Sequence, residues 1–343
     1  MRLYSNEIVF RGHPDKVCDQ ISAAILKECM TQDKNTHAGV EVMGGKNKVF
    51  VTGEISTNAT YDVGQIAKSV LEDVGYDPNK YEIIDNIGKQ SADINQGVDL
   101  GEEIGAGDQG MMFGYACNDT KELLPTAMII LQKLAKEYDV LRKNLPNKFY
   151  ADGKAQITGE YDENFKLVKI KDFVISYQNC ETNRNETDTM LKNIARDIAN
   201  EYNIEIEQFH INPTGKFLIG GFDGDAGLTG RKIVVDSYQS FANVGGGCMN
   251  GKDPTKVDFS AAHKARELAK RFLKEYNLTW CQVQLSYAIG LTEPMAIYVD
   301  SNKGFIDVDR SVYAECTPKR IIEDLGLNDI DYVEIAKFGH FTN

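Results

Sequence analysis

Residues Val40 to Ile55 read VEVMGGKNKVFVTGEI: two strand-like runs, Val40–Met43 and Lys48–Ile55, across a Gly44-Gly45 turn. Paired glycines between such runs signal a hairpin. Helical periodicity lies on both sides. Val17, Ile21, Ala24, Ile25 and Cys29 form an apolar stripe before the hairpin, and Val63, Ile66, Val70 and Val74 form another after it. A hairpin between two helices does not fit a strict strand–helix alternation. It points to an α+β chain with helices on one face of antiparallel or mixed sheets.

The mixture continues down the chain. Further helical stripes run from Leu124 to Leu134, through Met190, Leu191, Ile194 and Ile198, and through Ala261, Ala265, Leu268 and Phe272. Pro125 stands near the first turn of its helix, where proline is tolerated. Leu167–Tyr177, Lys216–Gly220, Ile233–Asp236, Gln282–Ile289 and Met295–Val299 read as strands. Two polar, glycine-rich breaks, Gly88–Gly110 and Asp223–Gly230, divide the chain into thirds. The expected domains are 1–100, 101–226 and 227–343, with no sequence repeat between them. The first break is too long for a tight turn and is expected to be a functional loop.

The chain has 343 residues, enough for two or three domains with real cores. Its 38 basic and 51 acidic residues give a net charge of −13, which disfavours sequence-independent binding to nucleic acid or anionic membranes. Any phosphate ligand needs a local basic pocket. The start lacks a signal-peptide apolar core, and no apolar run reaches the roughly 18 residues of a membrane span. The seven cysteines are scattered, odd in number and without a CxxC pair. Reduced thiols and a cytoplasmic location are expected, not disulfides or structural zinc.

The chemistry concentrates in a few places. Gly245 to Asp258 reads GGGCMNGKDPTKVD, with Lys252, Lys256, Asp253 and Asp258 after three glycines. Glycine allows close ligand approach, lysine supplies charge for phosphate, and aspartate holds magnesium. Read alone, this is a polyphosphate-and-metal loop or a solvated turn. His13, Asp15 and Lys16 precede the first helix, where free N–H groups favour anions. Gly227 to Lys232 is expected to open a strand, with Arg231 and Lys232 pointing in opposite directions. Asp152-Gly153-Lys154 resembles an ordinary turn, and Glu41 and Glu54 read as solvent-facing strand acids. No P-loop, no GxGxxG after a strand and no nucleophile triad is present.

Seven ordered blocks carry a resemblance: GHPDK (12–16), GKQSADINQGVD (88–99), GAGDQGMMFGY (105–115), INPTGKFLIGG (211–221), GLTGRK (227–232), GKDPTKVD (251–258) and SYAIG (286–290). They resemble the S-adenosylmethionine synthetase (methionine adenosyltransferase) family over nearly the whole chain. The resemblance implies three similar α+β domains in a pseudo-threefold arrangement. It also implies a dimer, or a dimer of dimers, with active sites shared between subunits. The implied reaction joins ATP and L-methionine to S-adenosylmethionine and splits the tripolyphosphate to pyrophosphate and phosphate. It needs Mg2+, two ions per site, and K+.

By the same resemblance, His13, Lys154, Arg231, Lys232 and Lys252 form the cation cluster at the triphosphate, with His13 donating to the oxygen leaving ribose C5′. Asp152, Lys216, Phe217, Asp225, Cys248 and Ile289 match other ATP positions, Phe217 being the ring that stacks on adenine. Glu54, Gln90, Asp108, Asp225 and Lys256 match the methionine site, with Asp108 also near the nucleoside. Asp15 and Asp258 match magnesium ligands and Glu41 the potassium ligand. Residues 90–100 match a gating loop. The chain departs from the family at Phe10-Arg11, where Ser-Glu is usual, and at Met249-Asn250, where Phe-Ser is usual. It departs again at Lys216 and Phe259, both usually arginine. A low-activity regulatory paralogue, or a tripolyphosphatase on the same fold, is the alternative expectation.

Overall fold

A computed structural model of the chain describes residues 1–89, 105–180 and 184–341. One connectivity recurs along it. The first unit runs β1 (Arg2–Val9), α1 (Pro14–Gln32), β2 (His37–Gly45), β3 (Lys48–Ser56), α2 (Val63–Val74), β4 (Glu82–Gly88). The second runs β5 (Gly110–Cys117), α3 (Thr126–Asn144), β6 (Phe149–Tyr161), β7 (Leu167–Asn179), α4 (Arg184–Asn200), β8 (Ile206–Ile211). The third runs β9 (Gly227–Leu228), α5 (Ile233–Asp236), α6 (Val257–Glu275), β10 (Trp280–Tyr287) and β11 (Ala296–Ser301). It ends in α7 (Arg310–Ala314), α8 (Pro318–Asp324) and α9 (Tyr332–Phe338).

The first strand of each unit pairs in another unit's sheet. β1 joins β6-β7-β8, β5 joins β10-β11, and β9 joins β2-β3-β4. Each visiting strand is antiparallel to its neighbour. Each hairpin is antiparallel, and β4 and β8 add in parallel to β3 and β7. The exchange is cyclic and gives the chain its three-way α+β architecture with mixed sheets.

Each unit also contributes a 19-residue helix, α1, α3 or α6, that covers a sheet. α2 begins at Asp62, whose side chain accepts from Gln65 N–H, and ends at Gly75 with φ 104°. Both are expected terminal signals. Among the described residues two apolar cores result. One lies under α1, α2 and α6, and the other between α3, α4 and the β1-β6-β7-β8 sheet. α6 sits so close to β5 that a Cβ on Gly114 would lie 1.9 Å from the Ala265 carbonyl carbon. Any side chain there forces helix and sheet apart.

Two strand readings and one turn reading need correction. Ile233–Asp236 is a helical turn, and Lys216–Gly220 is irregular. Short apolar runs carry no period that separates strand from helix. Asp152-Gly153-Lys154 is not a turn: it lies inside β6 at a register irregularity between Phe149 and Gly153. Among the described residues no helix is long and apolar enough to cross a membrane.

Candidate active site

The N-terminus of α1 organises the first group of charged residues. His13 caps the helix, its Nδ1 accepting from Asp15 N–H at 3.2 Å. That bond places the ring proton on Nε2. Burial pushes the imidazole down to about 4, with the Lys232 and Lys154 charges adding and those of Asp15 and Asp225 opposing. His13 is therefore a neutral ring with one outward donor, although it stands among cations.

Asp15 gathers Lys232 and Arg231. Its carboxylate is buried, with Oδ1 accepting from Leu228 N–H at 2.9 Å and Oδ2 from Lys232 Nζ at 2.5 Å. Arg231 Nε lies 3.6 Å from Oδ1. Arg231 and Lys232 thus converge on one carboxylate from the turn after the two-residue strand β9, where opposite directions were expected. Lys154 stands on β6 opposite Val9. Asp152, two residues earlier, accepts from Gly221 N–H at 2.8 Å. Burial pushes its carboxyl up to about 6 against that bond and Gly153 N–H, with Asp225 adding and Lys154 opposing. Lys216 and Phe217 stand on the irregular segment after β8, where the Phe217 carbonyl accepts from Asn179 N–H at 3.0 Å. A cavity of about 570 Å³ opens beside Arg231 and Lys232, lined also by Glu7, Gln156 and Gln239. Glu7 is a carboxylate the sequence reading passed over. Its only signal was strand parity, which sets it on the solvent side of β1.

Lys16 does not share this role. Its ammonium is buried and takes Asp236 at 2.7 and 2.8 Å and Asp19 at 3.3 Å. Asp19 also accepts from Gly230 N–H at 2.9 Å. This triad fastens α1 to the segment that carries Arg231 and Lys232. Burial pushes Asp236 up to about 7, with Asp19 adding and Lys16 and Lys232 opposing.

The second group surrounds the N-terminus of α6. Lys256 is the N-cap and Asp258 lies in the first turn. Lys252 Nζ meets Asp258 Oδ2 at 2.5 Å. A Cβ on Gly247 would lie 2.1 Å from the Asp258 carboxylate carbon, so the glycine loop lies directly against that acid. Glu41 and Glu54 are half-buried and share one face of the β2–β3 hairpin, since Glu54 stands opposite Gly39. Burial raises the Glu41 carboxyl, partly offset by Lys252, with Asp19 and Glu54 adding. Cys248 donates to the Asn250 carbonyl, and burial raises its thiol. The backbone beside Asp108 and Ile289 is joined by Ala106–Leu291 and Gly290–Ala106 hydrogen bonds. Asp253 belongs to the scaffold: it is buried and accepts from Ala38 N–H at 2.8 Å. Gln90 and the expected gate at 90–100 lie outside the described residues.

The two groups adjoin where a Cβ on Gly230 would lie 2.8 Å from that of Cys248. The departures at Phe10, Met249 and Phe259 are core substitutions. Phe10 stacks on Tyr138 with centroids 4.2 Å apart, Met249 is buried, and Phe259 packs on His263 at 4.6 Å and Tyr332 at 5.4 Å.

Residues 1–96, 103–217 and 219–343 match, in order, the N-terminal, central and C-terminal domains of S-adenosylmethionine synthetase. The chain belongs to the S-adenosylmethionine synthetase family. It is accordingly an enzyme, a transferase. A relative from Clostridium tetani (strain Massachusetts / E88), named S-adenosylmethionine synthase, is 40% identical over 370 residues, covering 99% of this chain and 94% of its own. The cyclic strand exchange is how this family member joins its three domains, because every sheet draws strands from two of the matched ranges.

Proposed function

We propose that this chain joins ATP and L-methionine to S-adenosylmethionine and, with water, splits the tripolyphosphate to pyrophosphate and phosphate. The observation that carries this reading is the neutral, helix-capping His13 beside Lys232 and Lys154, with Arg231 drawn in by Asp15. Methionine sulfur attacks ribose C5′ without deprotonation, so no general base is needed. The barrier lies in charge developing on the departing tripolyphosphate. His13 Nε2–H donates to the oxygen leaving C5′. Lys154, Arg231, Lys232 and Lys252 hold the phosphate oxygens, and each placed donor contributes roughly 3 kcal/mol. Hydrolysis of tripolyphosphate uses the same cations but not the C5′-directed donor. Phe217 faces adenine, while Glu54, Asp225 and Lys256 hold the methionine ammonium and carboxylate, with Asp108 beside them.

Magnesium fits the donor set. Asp15 and Asp258 are hard oxygen donors that already hold cationic groups at 2.5 Å. Mg2+ commonly takes one or two carboxylates, with phosphate oxygens and water completing its shell. Such a site needs no dedicated protein cage, and among the described residues no group of three or more His, Cys, Asp or Glu side chains offers one. Asp15 and Asp258 would hold the ions, which neutralise phosphate charge when bound. Glu41, half-buried beside Lys252, would hold K+.

A second copy would complete the site. The outward face of the β9-β2-β3-β4 sheet carries Glu41 and Glu54 together with Met43, 54% exposed, and Leu228, 38% exposed and paired with Met43. Covering those apolar side chains brings the two acids into an interface. The test is product formation from ATP, methionine and Mg2+, run beside a mass measurement in solution. S-adenosylmethionine with stoichiometric pyrophosphate and phosphate supports the reading. Tripolyphosphate hydrolysis alone, with no sulfonium product, refutes it.

A further inference from the structure

A buried charge sits immediately before the α1 cap. The Arg11 side chain is 4% exposed, and all three guanidinium nitrogens are engaged. Nε donates to Gln20 Oε1 at 3.0 Å, Nη1 to Asp139 Oδ2 at 3.2 Å and Nη2 to Asp73 Oδ2 at 2.5 Å. Gln20 Nε2 donates back to the Arg11 carbonyl at 2.7 Å. Arg142 completes the web, reaching Asp139 Oδ1 at 2.7 Å and the Asp73 carbonyl at 2.8 Å. Burial pushes Asp73 and Asp139 up; Arg11 with Lys143 more than offsets it at Asp73, and Arg11, Arg142 and Lys143 do so at Asp139, holding both carboxyls low. One side chain thereby joins the α1 cap to α2 and to α3, elements of two different units.

Buried ion pairs add little net stability compared with apolar packing, because desolvation offsets most of the attraction. What a fully engaged guanidinium adds is orientation: its planar fork fixes direction as well as distance. The oriented object here is the turn from Phe10 to His13. His13 N–H donates to the Phe10 carbonyl at 2.9 Å, and the Tyr76 hydroxyl donates to the Gly12 carbonyl at 2.6 Å. A Cβ on Gly12 would lie 2.2 Å from the Ala151 carbonyl oxygen, so the turn is pressed against β6 from the other side. Arg11 is thus the ionic member of a three-sided clamp whose product is the direction of the His13 ring.

We propose that Arg11 is a positioning residue for His13: it holds the cap turn so that Nδ1 stays on Asp15 N–H and Nε2–H faces the departing oxygen. The inference rests on the reading in which His13 is that donor.

The test compares Arg11→Gln, Arg11→Lys and Asp139→Asn with the parent on three readouts. These are single-turnover S-adenosylmethionine formation, hydrolysis of added tripolyphosphate, and the 15N signals of the His13 ring nitrogens, assigned with His13→Asn. In Arg11→Gln, sulfonium formation should fall about tenfold or more, on the scale of a small misplacement of a catalytic group. Tripolyphosphate hydrolysis should stay within about twofold, since it does not use that donor. The ring signals should move from a pure Nε2–H tautomer toward an average. Arg11→Lys should recover part of the rate, having kept the charge and lost the fork. Should Arg11→Gln fail to fold, Arg11→Lys and Asp139→Asn must show the same split in smaller measure. Equal loss of both activities would make Arg11 scaffold only and overturn the proposal. So would unchanged ring signals in a folded variant. A parent that makes no S-adenosylmethionine refutes the functional reading instead, and the ring signals then decide the positioning claim by themselves.

Discussion

His13→Ala removes two things that a second substitution separates. The first is the donor from Nε2 to the oxygen leaving C5′. A donor aimed at developing charge contributes about 3 kcal/mol, so the transfer step should slow about a hundredfold. The second is the helix cap, because Nδ1 accepts from Asp15 N–H at 3.2 Å. Losing a cap costs about 1 kcal/mol. In a chain of this size that lowers the melting temperature by about 2 °C. The charge balance stays put, since the buried ring is neutral above about pH 4. The Lys232–Asp15 pair should therefore survive. His13→Asn restores a good cap acceptor but not a donor with the reach of Nε2. Its melting temperature should return to that of the parent while its rate stays low. Single-turnover product formation and thermal melting of both variants decide it. An alanine variant within about threefold of the parent rate would refute the catalytic assignment. An asparagine variant that regained rate and stability together would show that only the cap matters.

Asp15→Asn leaves Lys232 and Arg231 without their shared counter-charge. Its Mg2+ requirement should rise about tenfold or more, read as the concentration for half-maximal rate, while the fold survives. Gly247→Ala puts a Cβ 2.1 Å from the Asp258 carboxylate carbon. Activity should fall about tenfold or more with little change in melting, since the conflict is with one loop and one side chain; a variant at parent rate would mean that Asp258 is free to move without consequence. Acid should destabilise the protein in a window set by its histidines. Burial holds His13 and His263 down at about 4 and His340 well below the ordinary 6.5. Between about pH 6.5 and 4 the unfolded chain therefore binds more protons. Stability is full above 6.5 and is lost as pH falls toward 4, by up to about 3 kcal/mol per histidine. Asp236, held up to about 7, and Asp152, held up to about 6, work in the opposite sense and cancel part of it. Urea midpoints at pH 7 and pH 5 read the difference, and a higher midpoint at pH 5 would contradict the buried neutral rings.

Local patterns were legible because their causes are local. The apolar stripes of Val17–Cys29, Val63–Val74 and Ala261–Phe272 fall inside α1, α2 and α6, and the Val40–Ile55 hairpin is β2 and β3. The turn itself comes slightly later than the paired glycines, with Lys46 at φ 54°. The cyclic exchange was not legible. β1, β5 and β9 find partners far along the chain, and such pairings leave no periodic trace. Motif and helix position pointed to His13, Asp15, Arg231 and Lys232, which the fold brings together, but the opposite directions expected of Arg231 and Lys232 are not found, since both reach Asp15. Lys16 looked equal to its neighbours in the GHPDK turn, yet Asp236, 220 residues away, turns it inward. Arg11 read only as a departure, because each of its acidic partners stands on another helix.

The strand exchange bears directly on the chemistry. Asp15 belongs to the first unit, while Arg231 and Lys232 belong to the third. They meet because β9 inserts beside β2 and delivers Leu228 N–H to Asp15 and Gly230 N–H to Asp19. In a chain of net charge −13, a cation cluster cannot rest on the overall field and must be assembled by contacts. The contacts used are carboxylates: Asp15 gathers Lys232, and Asp258 gathers Lys252. In the proposed reaction each pair divides along the same line. A polyphosphate would take the two ammonium groups, and the two carboxylates they release would hold the magnesium ions, which supply neutralising charge when bound. Binding phosphate and binding metal would then be one exchange of partners, each favouring the other. Tripolyphosphate affinity should accordingly rise with Mg2+ concentration in the parent and lose that dependence in an Asp15→Asn, Asp258→Asn double variant.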